Sequence, residues 1–223
     1  MIKKIIFSLF LILIYTNPIL AMPDCEKTKH FKEWNDCKGE MNLANGEFYS
    51  GEWKNGQRHG QGKFNYSDGS VYTGQFKGGK PYGKGQMKYA DGGEYNGDFK
   101  FGIREGSGVM IWYHGGKYQG EWLNDVVHGK GIATWPDGRK YEGEYVEQKK
   151  HGKGTFVWPD GDKYSGNWIN NKFHGFGTYT HAQGHIYVGN FLAGKKHGKG
   201  TYTYADGKVE KGVWEYDKMI KSQ

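Results

Sequence analysis

A tyrosine recurs every 23 residues through most of this chain, with no insertion or deletion between one copy and the next. The seven tyrosines of this column are Tyr49, Tyr72, Tyr95, Tyr118, Tyr141, Tyr164 and Tyr187. A fixed period of this length is typical of stacked repeats, in which each unit is one small element that buries its apolar side against its neighbours. The repeat therefore constrains the fold more tightly than any single motif does.

Glycines and further aromatic rings keep the same period. A glycine lies two residues after each tyrosine, and a Gly-x-Gly pair follows in every unit, so the repeat accounts for most of the 38 glycines. A second ring lies four residues after the tyrosine position. These rings are Trp53, Phe76, Phe99, Trp122, Tyr145, Trp168, Phe191 and Trp214. Aliphatic side chains are scarce, so we expect the rings, 17% of the chain, to supply the buried area.

Alternation within one unit predicts its secondary structure. In Tyr118-x-Gly120-x-Trp122 the three residues would share one side of a β-strand. A second such run follows after a turn such as Asn55-Gly56, so each unit is predicted to be a β-hairpin with a ring across glycine backbone. The predicted fold class is all-β: an elongated, single-layer antiparallel meander of about seven full hairpin repeats with degenerate caps. We expect its aromatic face to be covered by itself, by another copy or by a partner.

The period also divides the chain. The segments are a signal peptide (residues 1–21), a disulfide-capped segment with a degenerate repeat (22–48), seven repeats (49–209), and a partial repeat with a C-terminal cap (210–223). Cys37 falls in a glycine column of the degenerate unit, and Glu210 replaces the tyrosine expected in the last unit. Atypical end units are what a stack of repeats requires.

The amino terminus is typical of an export signal. Lys3 and Lys4 precede an apolar run from Ile5 to Tyr15, and Ala21 offers a small residue for cleavage. The alternative is an uncleaved membrane anchor, but the run is shorter than the roughly 17 to 25 residues that a spanning helix needs. We therefore expect a cleaved chain that is exported to the periplasm or secreted.

Two cysteines, Cys25 and Cys37, would then lie in an oxidising compartment, which favours a disulfide between them. Such a bridge would stabilise an amino-terminal cap by about 3 kcal/mol. The alternatives are free thiols or a metal site, although His30 alone does not complete a set of ligands.

The units resemble MORN repeats, as in YQGEWLNDVVHGKG (residues 118–131) and YSGEWKNGQRHGQG (residues 49–62). The resemblance covers about residues 37 to 216. Departures from the pattern are small: Tyr82 and Glu105, for example, replace the histidine that other repeats have at the equivalent position, such as His59 and His128. It implies a scaffold that mediates self-association or partner binding, and some relatives are linked to membranes and anionic phospholipids. In certain relatives the repeats accompany a lipid-kinase domain, for which this sequence leaves no room.

The sequence contains no recognisable arrangement of catalytic residues. A histidine column is the most tempting metal site: His59, His128, His151, His174 and His197. Residues one unit apart in a meander are separated by about 9.6 Å, however, and two ligands of one zinc must each lie within about 2.1 Å of it. The repeated carboxylates follow the turn positions and form no close pair. We therefore expect no enzymatic activity, no metal and no cofactor.

Cations cluster in the segment that joins the two strands of each hairpin. This predicted basic rim comprises Arg58, Lys80, Lys84, Arg104, Lys130, Lys149, Lys150, Lys153, Lys172, Lys195, Lys196 and Lys199. One interpretation is a solvated rim that keeps the sheet soluble. The other is a binding surface for anionic headgroups, polyanionic glycans or an acidic protein. Export argues against a nucleic-acid partner.

The sequence thus predicts an exported, non-enzymatic scaffold that binds a protein partner or a second copy of itself as a homodimer. The two columns of rings are the predicted packing or interaction face. The alternative function is peripheral binding of anionic phospholipid membranes through the basic rim.

Overall fold

The structure is a computed structural model that describes residues 21–223. All but the last residue of the predicted signal segment, residues 1–21, lies outside the described residues. Within residues 21–223 no helix has the length and apolar character needed to cross a membrane.

A single open sheet of 17 strands makes up the described chain, and every strand pairs antiparallel with the next one along the sequence. The all-β hairpin meander predicted from the repeat is confirmed. A short 3-10 helix, Phe31–Glu33, precedes the sheet. The strands are β1 (Cys37–Asn42), β2 (Phe48–Lys54), β3 (Gln57–Asn65), β4 (Val71–Lys77), β5 (Lys80–Lys88), β6 (Glu94–Lys100), β7 (Ile103–Ile111), β8 (Lys117–Leu123), β9 (Val126–Thr134), β10 (Lys140–Val146), β11 (Lys149–Val157), β12 (Lys163–Ile169), β13 (Lys172–Thr180), β14 (Ile186–Leu192), β15 (Lys195–Thr203), β16 (Val209–Glu215) and β17 (Lys218–Ser222).

Two kinds of turn alternate along the sheet. Two-residue turns such as Asn55-Gly56, with φ of +50° and +69°, close each repeat hairpin at what we call the narrow edge. Five-residue turns such as Tyr66–Ser70, in which the Tyr66 N–H donates to the Ser70 carbonyl at 2.8 Å, join successive repeats at the wide edge. Positive φ at both central residues matches the twist of antiparallel strands, which is why Asn and Gly are common at the narrow edge.

A bulge interrupts each repeat hairpin at the same place. In the fourth repeat Gly120 pairs with Gly131 and Glu121 pairs with His128, so Gly129 and its neighbour have no partner in β8. Gly129 has φ of +59°, a conformation that favours glycine. The Gly-x-Gly motif is therefore explained by the bulge and by the cross-strand glycine pair beside it.

The amino-terminal end of the sheet is covered by the cap. The predicted disulfide between Cys25 and Cys37 is present, and residues 23–25 run beside β1. The Cys25 N–H donates to the Lys38 carbonyl at 2.7 Å, so the edge of β1 is hydrogen-bonded. Trp34 packs edge-on against Trp53, with 5.1 Å between their ring centroids, and connects the cap to the first repeat.

Candidate interaction surfaces

One face of the sheet, the aromatic face, carries both predicted columns of rings, and all fifteen side chains are buried. Tyr118 is 1% exposed and packs edge-on against Trp122 of its own repeat and Tyr145 of the next, with centroids 5.4 and 5.5 Å apart. The rings therefore cover one another, which is the first of the three expected ways to keep this face dry. Because they are buried, these rings pack the fold and offer no free surface to a partner.

Each tyrosine lies across a glycine pair and ties down the bulge. A Cβ atom on Gly131 would lie 2.5 Å from Cε2 of Tyr118, so only glycine leaves room for the ring. All seven tyrosine hydroxyls donate to the backbone carbonyl three residues later, at 2.8 to 3.1 Å. Burial raises the pKa of these hydroxyls well above their ordinary value, in Tyr187 to about 12.

A further column, which we call the lid column, lies over the tyrosines and alternates in chemistry from repeat to repeat. Its members are Arg58, Pro81, Arg104, Val127, Lys150, Phe173, Lys196 and Met219. Phe173 stacks on Tyr164 with 3.8 Å between centroids, and Lys150 Nζ lies 5.6 Å from the centre of the Tyr141 ring. In the last unit, where Glu210 replaces the tyrosine, Met219 fills the space above Gly212.

The structure places the twelve residues of the predicted basic rim on two faces of the sheet. Four of its twelve members, Arg58, Arg104, Lys150 and Lys196, are half-buried on the aromatic face, each over the tyrosine of its own repeat. Burial lowers the pKa of Lys150, which Arg139 lowers further. The alternation of side chains could have predicted this, because Arg58 has the same parity as Phe64. The other eight are exposed on the opposite face: Lys80, Lys84, Lys130, Lys149, Lys153, Lys172, Lys195 and Lys199.

Sequence reasoning missed a third column of rings at the wide edge. Its members are Tyr66, Tyr89, Trp112, Trp135, Trp158, His181 and Tyr204, again 23 residues apart and half-buried. They extend the aromatic face toward the five-residue turns, as in the contact between Trp158 and Phe156 at 4.5 Å. The 23-residue spacing of this column is visible in the sequence. Each member lies two residues after the residue that pairs with a column tyrosine, as Tyr66 lies two residues after Phe64.

The opposite face, the polar face, is open. A groove of about 1010 Å³ crosses strands β5 to β11, and its floor is formed by glycine backbone. Val109 and Ile132 line one wall, and Lys84, Glu121 and Lys153 line the other. A smaller groove of about 560 Å³ continues from Lys153 across β13. These grooves follow the glycine rows, because the side-chain positions of those residues point to the aromatic face and only backbone lies between the flanking rows of side chains on the polar face.

The histidine column also lies on the polar face, where His128 pairs with Glu121 and His151 with Glu144. Across residues 21–223, no group of three or more His, Cys, Asp or Glu side chains is arranged to hold a metal ion. The two grooves and the exposed lysines are therefore the features of this face that a partner could contact.

Two of the solved structures to which this chain is similar are TCP domains. The SAS-4 (dCPAP) TCP domain of Drosophila melanogaster, solved in complex with a proline-rich motif of Ana2 (dSTIL), is 14% identical with a TM-score of 0.44, over 79% of this chain and 90% of that one. The TCP10 domain of Danio rerio CPAP is 15% identical with a TM-score of 0.44, over 78% and 83%. No curated protein sequence matches this chain.

The family comparison matches the repeats one by one. The MORN repeat family matches at residues 49–71, 72–94, 95–117, 118–138, 141–163, 164–186 and 187–209, which together exceed half of the chain. These boundaries coincide with the tyrosine column, and each matched unit contains the ring, the glycine pair and the bulge described above. The chain belongs to the MORN repeat family and is built of seven such repeats between two atypical ends.

Proposed function

We propose that this protein is an exported, non-enzymatic scaffold that binds a protein partner through the polar face of its sheet. The observation that carries the proposal is the difference between the two faces of the sheet, of which one packs the rings and the other holds an open groove. On the aromatic face the rings cover one another and leave a cavity of about 250 Å³ beside Trp112 and Trp135, whereas the polar face holds an open groove of about 1010 Å³ bordered by exposed charged and aliphatic side chains. MORN repeats are binding repeats, and scaffolds for protein or membrane interaction are what such arrays supply.

The groove supports a polypeptide ligand better than a small molecule. It is long, shallow and floored by backbone, whereas small-molecule sites are concave and enclose most of their ligand. Its walls offer both charge signs, through Lys84, Glu121 and Lys153, together with the aliphatic side chains of Val109 and Ile132. A polypeptide can meet all of these chemistries along one extended surface.

Site-specific photo-crosslinking tests the proposal in cells that express the full chain. A photoreactive residue at Ile132, in the groove, is expected to give a discrete polypeptide adduct, and the same residue at Asp137, in a wide-edge turn, is the matched control. The captured polypeptide should also bind the purified chain, and Ile132→Asp should weaken that binding. Adducts with lipid alone, or equal capture from both positions, would contradict the proposal.

Export is part of this proposal. It rests on Lys3, Lys4 and the apolar run up to Tyr15, followed by Ala21. The expected result is a mature chain that begins at Met22, recovered from the periplasm or the medium, with its Cys25–Cys37 disulfide formed. A full-length chain that sediments with the membrane after a carbonate wash would overturn the export proposal.

Peripheral binding to anionic membranes is the second candidate. Eight exposed lysines on the polar face favour it, since cations near an anionic surface contribute about 1 kcal/mol each. Sedimentation with neutral and with anionic vesicles, at low and at high salt, separates the two functions. Salt-sensitive binding to anionic vesicles alone would favour the membrane. No binding to either vesicle would leave the protein scaffold.

A homodimer would be a special case of the scaffold. The cap covers the edge of β1, whereas β17 is the last strand of the sheet and pairs only with β16. Analytical ultracentrifugation of the mature chain over a range of concentrations tests self-association. A monomer at all concentrations would direct the search to other proteins.

A further inference from the structure

The polar face changes its charge pattern along the chain. In the first repeats several of its lysines pair with acidic neighbours, as Lys54 does with Asp36 at 3.9 Å and Lys84 with Asp98 at 2.7 Å. Lys100 is likewise paired with a glutamate, Glu105. This half of the face therefore presents ion pairs to solvent, together with lysines such as Lys77 and Lys80 that form no ion pair within residues 21–223.

From β11 to β17 the same face presents lysines with almost no acid. The lysines, all exposed, are Lys149, Lys153, Lys163, Lys172, Lys195, Lys199, Lys211, Lys218 and Lys221. None of them forms an ion pair with any residue of the described part of the chain, 21–223. On these strands Glu215, across from Lys218, is the one carboxylate whose position in the register places it on this face. The positive charge is therefore concentrated and is not neutralised by other residues within 21–223.

A substitution at the bulge explains part of this change. In the earlier repeats a carboxylate accepts from a bulge N–H, as Glu144 does from Lys153 at 3.1 Å. In later repeats an asparagine donates to a bulge carbonyl instead, as Asn167 does to Phe176 at 3.2 Å and Asn190 to Lys199 at 3.4 Å. The bulge stays hydrogen-bonded in both arrangements, but the negative charge is gone.

Exposed apolar side chains lie among these lysines. The residue after the buried ring is lysine in the first three repeats, whereas it is Leu123, Val146, Ile169 and Leu192 in the next four. Val146 is 41% exposed, Ile169 is 40% exposed, and each lies directly across from a lysine. Phe176, on the adjoining row, is 59% exposed. Apolar side chains at regular intervals on an otherwise basic surface are typical of an interaction site.

We propose that this lysine–aliphatic patch, the polar face of β11–β17, docks an extended acidic polypeptide segment with an aliphatic residue at every third position. The proposal rests on the scaffold function above and specifies its partner. Lysines without internal partners call for negative charge, and the column of Ile169 and Leu192, which Val146 of β10 continues at the border of the patch, calls for apolar side chains.

The spacing of the patch sets the spacing in the partner. Ile169 and Leu192 are one repeat apart, which is two strand separations or about 9.6 Å. A polypeptide in the extended polyproline II conformation has three residues per turn and advances about 3.1 Å per residue, so every third residue faces the column again after about 9.3 Å. Glutamates at the two intervening positions would then reach lysines such as Lys172 and Lys195, which alternate with the aliphatic residues.

The shape of the surface favours a polypeptide over a membrane or a polysaccharide. Neighbouring strands of a sheet are rotated by roughly 20 to 25°, so a column that crosses several repeats winds around the long axis of the sheet. A flat bilayer meets one or two repeats of such a column, whereas an extended chain can follow it. A polyanionic glycan would pair with the lysines but would leave Ile169 and Phe176 without apolar contacts.

Fluorescence anisotropy with three synthetic peptides of equal length tests the proposal on the mature chain. The first peptide has leucine at every third position with glutamate between, the second replaces leucine with serine, and the third replaces glutamate with lysine. The first should bind, the second about tenfold more weakly, and the third not detectably at physiological salt. Equal binding of the first two peptides would overturn the aliphatic part of the proposal.

Matched variants locate the site. Lys172→Glu/Lys195→Glu should weaken binding of the first peptide at least tenfold, and Ile169→Ser/Phe176→Ser about tenfold. Lys77→Glu/Lys80→Glu is the control, because residues 77 and 80 of the second repeat are equivalent to Ile169 and Lys172 of the patch. This variant should leave binding unchanged. Thermal unfolding checks that each variant is folded.

The remaining outcomes separate this proposal from the general one. If both lysine double variants weaken binding equally, the patch is wrong, but a polypeptide-binding scaffold still stands. If no peptide binds and the patch variants instead lose binding to vesicles of anionic phospholipid, both the patch and the protein-scaffold proposal fail. Loss of a dimer in the patch variants would assign the surface to a second copy and would also overturn the acidic-peptide proposal.

Discussion

At the scale of single residues, the fold depends on one contact made seven times: a tyrosine ring against a pair of glycines. The ring of Tyr118 lies where any side chain on Gly120 or Gly131 would lie, and its hydroxyl satisfies the Glu121 carbonyl at 3.0 Å. Glycine normally weakens a strand, but here the missing side chain is replaced by an aromatic ring from a neighbouring position.

The substitution Gly131→Ala tests this contact. The added methyl group would overlap the Tyr118 ring, and overpacking of this kind costs about 1 to 3 kcal/mol. Urea unfolding followed by tryptophan fluorescence measures the change. Gly115→Ala is a control for the loss of a glycine at a turn, where the nearest atom to the new Cβ lies 3.4 Å away, although its φ of +86° adds backbone strain. A Gly131→Ala protein as stable as wild type would contradict the proposed packing.

Lys150 tests whether the lid column acts through packing or through charge. Its Nζ lies 5.6 Å from the centre of the Tyr141 ring and 4.8 Å from that of Phe156, and burial disfavours its charge. Lys150→Met retains the stem and uses the residue found at the equivalent position 219. We expect its stability at neutral pH to match or exceed wild type by up to about 1 kcal/mol, whereas Lys150→Ala should lose about 1 to 2 kcal/mol. A destabilised Lys150→Met would show that the cation–π contacts dominate.

At the scale of elements, the hairpin is set by its turn and its bulge. Asn occupies the first turn position in several hairpins, such as Asn55, Asn124 and Asn170, with φ near +50°. Phe101 adopts the same conformation, with φ of +51°, although a bulky side chain is disfavoured there. Phe101 is 51% exposed, so burial does not offset this strain.

The substitution Phe101→Asn should therefore stabilise the protein by about 1 kcal/mol. Its partial contact with Tyr82, at 5.3 Å between centroids, is the opposing contribution, and Phe101→Ala measures the loss of that contact without the turn preference. Differential scanning calorimetry of both variants separates the two effects. A Phe101→Asn protein that unfolds at a lower temperature than Phe101→Ala would contradict this view of the turn.

Much of the element scale could be predicted from the sequence. The spacing of Tyr118, Gly120 and Trp122 fixes the strand and its buried side, and the turn pairs fix the hairpin. The side of the sheet on which Arg58 or Lys150 lies could also be predicted from the alternation from Gly62 or Gly154, but the predicted rim groups the cations by charge alone. The grooves and the partition of charge on the polar face could not be predicted without the register of neighbouring strands, which brings residues of different repeats together.

At the scale of the whole molecule, the seven buried tyrosines make stability depend steeply on alkaline pH. The unfolded chain releases their hydroxyl protons near pH 10, while burial raises the pKa of each folded hydroxyl above that value. The folded state thus binds more protons, and the free energy of unfolding falls as pH rises above 10. Lys150 and Lys196, whose pKa values are lowered, act in the opposite direction but are only two against seven.

An alkaline titration followed by phenolate absorbance and by circular dichroism checks this expectation. Phenolate from the column tyrosines should appear only together with loss of the sheet signal. Ionisation of nearly all tyrosines in a sheet that stays folded would contradict the burial of the column.

The central claim is that one face of the sheet closes the core and the other binds. Hydroxyl-radical footprinting of the mature chain, free and saturated with the leucine–glutamate peptide, measures this directly, because every ring reports its own exposure. We predict slow oxidation of Trp122 and Trp168 in both states, and fast oxidation of Phe176 in the free chain with protection in the complex. Fast oxidation of Trp122 and Trp168 in the free chain, with protection on binding, would contradict the claim.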